Sequence, residues 1–459
     1  MAVVLANSRV FEQLRRRRES RAWRTAKAGL VSHGFNYGIR FVTIPLSLSI
    51  LGTEYYGLWL TVGSLIAWLS LSDFGLSRGL VNAIAEASGR DDRLDIRRLV
   101  STGLVTFSAL SIAAAVLVLL AHRWGRIGGL LGTATSPELT RNAGTLLLIC
   151  GLFFAASIPL RAVDSVCQGL QEGYLGAYAG MVSALLGLMA LAILRFRGAT
   201  VVEFALVSAA PPLFTDFTLG AYVFLVRHPD LFPVFRLTNT SSLRKLMAFG
   251  GPLLLVQLAN LAFMYSMNIL IANRLGPAQV PKFAVPYALF MVVAGLCNLI
   301  AQPLVPAIAE AFRHGDWAWV EKVSIRLLSL LLGVMGAADI AFLLVGRPLI
   351  RFWAGPEVTP GWTLLLALCC FSLVQVFATG AGVLLVGLGL LLPRAGIHLF
   401  AALFFVVTAW ALLPKFGIIS IPLVGSVAFA LPAGVWTIIA FRHIDSHCKT
   451  GTSESGEKT

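Results

Sequence analysis

Stretches of about twenty apolar residues recur from residue 28 to residue 440, and nothing constrains this chain more. Each is long enough to cross roughly 30 Å of hydrocarbon as an α-helix. Inside lipid every backbone N–H and C=O must be satisfied within the segment, which leaves helices or a closed β-barrel. The apolar runs are unbroken rather than alternating, so the barrel is excluded. Composition agrees: 57% of residues are hydrophobic and 13% charged, against roughly 25% charged in soluble domains. The chain is read as an all-α membrane protein.

Twelve spans are expected. Six lie near residues 28–50, 57–79, 99–121, 143–165, 174–195 and 201–226, and six near 248–273, 283–305, 324–346, 363–386, 393–413 and 417–440. Spans 1 and 2 are separated only by the turn LGTEYYG, so they form a helical hairpin. The halves carry a repeat: Ala83–Ala87 reads AIAEA, and so does Ala307–Ala311. At the same offset Leu51-Gly52 falls on Leu275-Gly276, Asn36 on Asn260 and Leu46 on Leu270. Span 7 follows span 1 by six crossings, an even number, so both cross in the same direction. The expected architecture is two parallel-repeat six-helix lobes around a central cavity.

Basic residues set the orientation. With the N-terminus inside, Lys and Arg concentrate on the cytoplasmic segments, and most of the net charge of +14 is this topological signal. Residues 1–27 are read as a basic cytoplasmic arm, in which Arg15–Arg18 would anchor to anionic headgroups rather than to nucleic acid. The N-lobe spans 28–226, a cytoplasmic linker 227–247, the C-lobe 248–441, and a polar tail expected to be disordered 442–459. The linker, with Pro229 and Pro233, looks like a hinge. The first apolar span starts too far in to read as a secretory signal, and Glu12 and Glu19 oppose a mitochondrial leader. The location read is the bacterial inner membrane, with both termini cytoplasmic.

Loop lengths limit the chemistry. No loop can fold as a domain, so a membrane-embedded polymerase or ligase, which needs a large external loop, is disfavoured and no enzyme is expected. The six cysteines show no metal-ligand or disulfide spacing. Neither cofactor nor metal is called for.

Ionisable and amide side chains within spans are costly and face a protein interior or water. In span 1, Ser32, Asn36, Arg40, Thr43 and Ser47 follow helical steps and form one polar stripe. Span 7 answers with Gln257, Asn260 and Asn268, followed by Asn273 and Arg274, and span 8 adds Asn298 and Gln302. Interhelical hydrogen bonding is the alternative reading for the amides. Arg40 lies about 18 Å into the membrane at 1.5 Å per residue, too deep for easy snorkelling. Asp73 and Arg78 end span 2, where they could be a structural pair. Arg161 and Asp164, three apart, read as another pair. Asp216 follows Pro211-Pro212, a dipeptide expected to break span 6, and Asp339 interrupts span 9; Asp216, Asp73 and Asp339 are candidate coupling carboxylates.

The run LGTEYYGLWLTVGSLIAWLSLSDFGLSRGLVNAIAEASGRDD resembles the first helical hairpin of O-antigen and teichoic-acid-type polysaccharide flippases. The matching features are Leu51-Gly52, Tyr56-Gly57, Trp59 and Asp73-Phe74-Gly75 before an Ala-rich helix end. That family lies in the exporter superfamily that includes the multidrug extruders and lipid II flippases. The resemblance implies alternating access and an undecaprenyl-diphosphate-linked oligosaccharide carried from the inner to the outer leaflet. It also implies membrane lipids, glycosyltransferases and a polysaccharide polymerase as partners. Such a cargo calls for a polar, cationic path, to which Arg40, Arg78 and Arg274 would bring charge and Asn36, Asn260 and Asn268 hydrogen bonds. Trp59, Trp68 and Tyr37 could stack on sugars. The alternative is a cation-coupled, multidrug-type antiporter of small molecules, whose path should be acidic.

Overall fold

The computed structural model describes residues 2–124 and 136–455. Every regular element among them is helical. Helix α1, Ala2–Leu69, contains the first expected span and the start of the second, whose remainder to residue 79 is interrupted after Leu69, and it departs from helical geometry at Gly52, where φ is 70° and ψ 174°. The expected seven-residue turn thus contracts to one glycine, the residue type that takes positive φ without a Cβ penalty. A 3-10 turn, Ser70–Asp73, leads to α2, Leu76–Gly89, then α3, Arg93–Arg123. Beyond residues 125–135, which lie outside the described residues, come α4, Pro137–Ser157, α5, Arg161–Gly169, α6, Tyr174–Arg197, and α7, Val201–Ala221. The second half runs through α8, Thr240–Met264, α9, Ser266–Leu275, α10, Val280–Ala301, α11, Leu304–Arg313, and α12, Trp317–Ala354. It closes with α13, Trp362–Gly387, α14, Leu391–Phe416, and α15, Ser420–Ser455.

Among the described residues eight stretches are long and apolar enough to cross a bilayer, and the last, Gly396–Arg442, holds parts of both α14 and α15. This is a multi-pass membrane protein. The side chains of the basic arm Arg15–Arg18 lie outside the described residues. The tail begins as a continuation of α15 rather than as coil, while its side chains beyond Arg442 and residues 456–459 lie outside the described residues.

The repeat read from the sequence is reproduced in local geometry. Gly276 takes φ 89°, as Gly52 takes 70°. Each AIAEA helix ends in the same turn. Asp92 N donates to Ala87 O at 3.1 Å, and Asp316 N to Ala311 O at 3.0 Å. The preceding residues, Asp91 and Gly315, are left-handed, with φ 54° and 75°. Asp92 and Asp316 then cap α3 and α12 by accepting from Asp95 N and Trp319 N. The motif's isoleucine explains its recurrence. A Cβ added to Gly169 of α5 would lie 2.8 Å from Ile84, and one on Gly387 of α13 would lie 2.6 Å from Ile308. Close approach of helices through small residues is the usual device where no hydrophobic effect drives association.

The chain resolves into two compact units. The first takes the described parts of Met1–Gly52, Leu65–Gly129 and Ser136–Leu254. Its core lies between α2, α3 and α5, with Leu80, Ile84, Ile96, Val100, Ala162 and Val166 buried. The linker after α7 is held against this core. Val234 N donates to Ser101 Oγ at 3.0 Å, Asn239 N to Thr102 Oγ1 at 3.2 Å, and Arg97 Nε to Phe232 O at 3.0 Å. Helix α7 runs through Pro211-Pro212 without the expected break, and the Thr215 hydroxyl lies 3.0 and 3.1 Å from the Pro211 and Pro212 carbonyls. Neighbouring hydroxyls can satisfy backbone groups disturbed by proline in membrane helices.

The second unit takes Thr53–Ser64 together with the described parts of Leu255–Thr459. Thr53–Ser64 was placed by sequence within 28–226. Gly57 shows what binds it here, since a Cβ at that position would collide with the Pro277 carbonyl. Helix α13 is the centre of this unit, with α10, α12 and α15 around it. Phe263 stacks on Phe405 at 5.0 Å and lies 4.1 Å from the Phe429 ring.

Candidate functional site

Five ionisable residues of the first unit, Asp73, Arg78, Arg161, Asp164 and Asp216, gather where the turn before α2, α2, α5 and α7 meet. The chain enters α2 through Phe74 and Gly75, both left-handed, with φ 48° and 77°. Asp73 holds that turn. Its Oδ1 accepts from Gly75 N and its Oδ2 from Ser77 Oγ, both at 2.9 Å. This Asx-type geometry accounts for the SDFG sequence without a transport role. Asp73 is 5% exposed, and its charge is met by Arg161, 3.5 Å away at the start of α5. Arg161 also lies over the Phe154 ring at 5.1 Å.

The expected Arg161–Asp164 pair is therefore replaced. Asp164 accepts from Gln168 Nε2 at 2.6 Å and lies within electrostatic reach of Arg78 and Asp216. Gly176 lets α6 pass close by, since a Cβ there would sit 2.6 Å from the Asp164 carboxylate. Two arginines and three carboxylates leave this group one negative charge in excess when all are ionised. Arg78 lies among these carboxylates, whereas the sequence placed it on the path of an anion.

Arg40 has a different setting. On α1, Ser32 Oγ donates to Ala177 O at 3.4 Å, and Asn36 Nδ2 donates to Ser32 O at 2.8 Å. Thr43 Oγ1 donates to Arg40 O at 3.3 Å. Asn36 and Arg40 are both exposed. Among the described residues no carboxylate pairs with the Arg40 guanidinium, and Asp73, the partner considered for it, is taken by Arg161.

The second unit commits more of its polar set. Asn260 Oδ1 meets His398 Nε2 at 3.2 Å, and Asn268 Nδ2 donates to Ser64 Oγ at 3.0 Å. Near the end of α9 the Arg274 guanidinium lies 3.5 Å from the centre of the Trp410 ring, and its Nε is buried with no hydrogen-bond partner among the described residues. Gln302 donates to Asn298 at 3.0 Å, one turn apart. Asp339 is 4% exposed and meets Ser372 Oγ at 3.0 and 3.3 Å. His398, 8% exposed among Phe263, Phe429 and Trp436, was missed by sequence reasoning. A single histidine in the apolar span 393–413 is the signal that would have found it. The Gln375–Tyr287 contact at 3.3 Å was also missed.

Between α5 and α6 of the first unit, outside the spans, Glu172 is 2% exposed at its side chain. It meets His228 Nε2 at 3.1 Å and Arg227 at 2.9 Å. The His228 hydrogen bond, followed by those from Arg227, pulls its carboxyl down to about 2 against the opposing effect of burial.

Residues 23–312 match the family model described as polysaccharide biosynthesis protein. An O-antigen transporter of Salmonella typhi is 22% identical over 62% of this chain, and the match spans 64% of that relative's length. An O-antigen export protein of Yersinia pseudotuberculosis is 23% identical over 88% of this chain and 92% of its own. Among solved structures, the inward-facing conformation of a multidrug resistance MATE family transporter of the MOP superfamily is similar with a TM-score of 0.78 and 15% identity. That likeness covers 91% of this chain and 95% of the other, and it shows that the two share a fold.

Proposed function

The chain belongs to the polysaccharide biosynthesis protein family, and from that premise we propose that it is a flippase for a polyprenyl-diphosphate-linked oligosaccharide. It moves this lipid from the inner to the outer leaflet of a bacterial inner membrane by alternating access of two six-helix lobes, residues 28–226 and 248–441. Both termini are cytoplasmic, and glycosyltransferases and a polymerase supply and consume the cargo. The protein transports its cargo without altering it.

One observation carries the reading: Arg40, exposed on the polar stripe of α1, has no carboxylate partner among the described residues. An arginine at that depth costs about 2.5–3.5 kcal/mol on insertion scales, and an anionic ligand offsets the cost. A diphosphate suits the planar guanidinium fork, which donates two parallel hydrogen bonds. Asn36, one turn away, is placed to meet a sugar hydroxyl, and Arg274 and Arg78 add cationic charge elsewhere.

The test is complementation of a flippase-deficient strain, with protein abundance measured alongside. Arg40→Ala is expected to abolish export at unchanged abundance, and Arg40→Lys to keep part of it. Full export by Arg40→Ala would remove Arg40 from the mechanism. The fold shared with a multidrug transporter favours a second reading, a cation-coupled antiporter of small molecules. In that case Arg40→Ala would retain or improve resistance to cationic compounds.

A further inference from the structure

Asp339 is a carboxyl group in the middle of α12, 4% exposed, with no cation paired to it among the described residues. The groups that face it are both on α13. Ser372 Oγ lies 3.0 and 3.3 Å from the two carboxylate oxygens, and Cys369 Sγ lies 3.9 Å from the Asp339 carbonyl. No described titratable group on α10, α11, α15 or the Pro356–Val358 turn, the other elements packed against α12, hydrogen-bonds or pairs with it, Glu310, Arg313 and Glu357 included. On its own helix Arg347 is engaged elsewhere, donating to Pro360 O at 3.1 Å and lying over the Trp362 ring.

Proton accounting then separates the two forms of this carboxyl. The Ser372 hydroxyl has one hydrogen and two acceptors to choose from, the Asp339 carboxylate and the Cys369 carbonyl 2.8 Å away. If Asp339 is ionised, the hydroxyl must turn to it, and the buried charge has that one donor alone. If Asp339 is a neutral acid, its own O–H donates to Ser372 Oγ, and Ser372 donates onward to Cys369 O. The neutral form satisfies every group in the chain, and a desolvated, unpaired charge is avoided. Asp73 and Asp216 differ from it: the first is met by Arg161 and two further donors, and the second lies beside the charged group around Asp164.

We propose that Asp339 is the proton-carrying group of this transporter, held as a neutral acid by Ser372 and deprotonated once in each transport cycle. In that step the Asp339 O–H bond breaks, its proton passes to water on one side of the membrane, and the carboxylate left behind takes a proton from the other side. Ser372 is a positioning residue that follows the change by turning its hydrogen from Cys369 O to the carboxylate. The coupling role rests on the transport reading above, whereas the protonation state can be measured without it.

The experiment uses the full chain in lipid nanodiscs and proteoliposomes. Infrared difference spectra between wild type and Asp339→Asn, at neutral pH, should contain a neutral carboxylic acid C=O band that Ser372→Ala shifts. Asparagine keeps the shape of the acid, so Asp339→Asn is expected to accumulate and elute normally. In proteoliposomes a pH gradient should accelerate transbilayer movement of a polyprenyl-diphosphate oligosaccharide by wild type and leave Asp339→Asn unaffected. Absence of the acid band, or equal acceleration of both proteins, overturns the proposal. If wild type moves none of this probe, the substrate reading falls, and the infrared band alone decides for or against the proton on Asp339.

Discussion

Removing Arg161 while keeping Asp73 tests whether the first unit depends on a charge pair that the sequence did not reveal. Taking away one partner of a fully buried pair costs about 3–5 kcal/mol, because the other charge is left uncompensated. Two features of this pair lower the figure. Asp73 keeps its bonds from Gly75 N and Ser77 Oγ, and the Arg161 side chain is 27% exposed, so water already screens it. The contact over Phe154 at 5.1 Å returns a smaller amount. The expected loss for Arg161→Ala is therefore about 2 kcal/mol, below the range for a fully buried pair. For a unit of this size that corresponds to a fall in Tm of roughly 4–8 °C. Thermal unfolding of the purified protein in detergent reads it. The double variant Asp73→Asn/Arg161→Ala should recover more than half, since asparagine still accepts from Gly75 N and leaves no stranded charge. An unchanged Tm for the single variant, or strictly additive losses in the double, would refute the pairing argument.

Gly169→Ala and Gly387→Ala should each destabilise by about 1–3 kcal/mol, because the added methyl meets Ile84 or Ile308 at 2.8 or 2.6 Å. Comparable Tm losses for the two would confirm that the halves share one helix contact, and a neutral effect at either would deny it. Glu172→Gln should lower Tm at neutral pH. The Glu172 carboxyl is depressed to about 2 in the folded protein, so its contribution is complete above its ordinary value near 4.5 and fades as pH falls towards 2. The gap between wild type and variant should narrow over that window, and a gap independent of pH would remove Glu172 from the linker contact.

What could be read from the chain alone was set by local rules. Apolar runs of membrane length and the repeated AIAEA motif are visible without any fold, because both follow from the lipid and from one helix packing on another. Gly52 and Gly276 were found as a matched pair, though the contraction of the turn to a single residue depends on backbone angles that no pattern encodes. The Asp73–Arg161 pair joins helices far apart in sequence, so the nearer neighbours Arg161 and Asp164 were paired instead. Pro211-Pro212 was read as a break because local propensity ignores hydroxyls such as that of Thr215. The linker looked like a hinge by composition. Its attachment to Ser101 and Thr102 uses backbone amides, which leave no trace in residue type. Of the candidate site residues, Arg40 was singled out by its depth, while the commitment of Asn260 to His398 and of Asn268 to Ser64 depends on packing between helices.

The central claim is that the chain carries an anionic lipid-linked glycan across the bilayer and that Arg40 binds its diphosphate. The direct measurement is reconstitution into liposomes loaded with a fluorescent polyprenyl-diphosphate oligosaccharide, scoring its accessibility to an external quencher over time. Wild type should move the lipid between leaflets. Arg40→Ala should do so at the protein-free rate, and a polyprenyl lipid lacking the diphosphate should move no faster with protein than without. Equal transport by wild type and Arg40→Ala, or transport that ignores the diphosphate, would contradict the account.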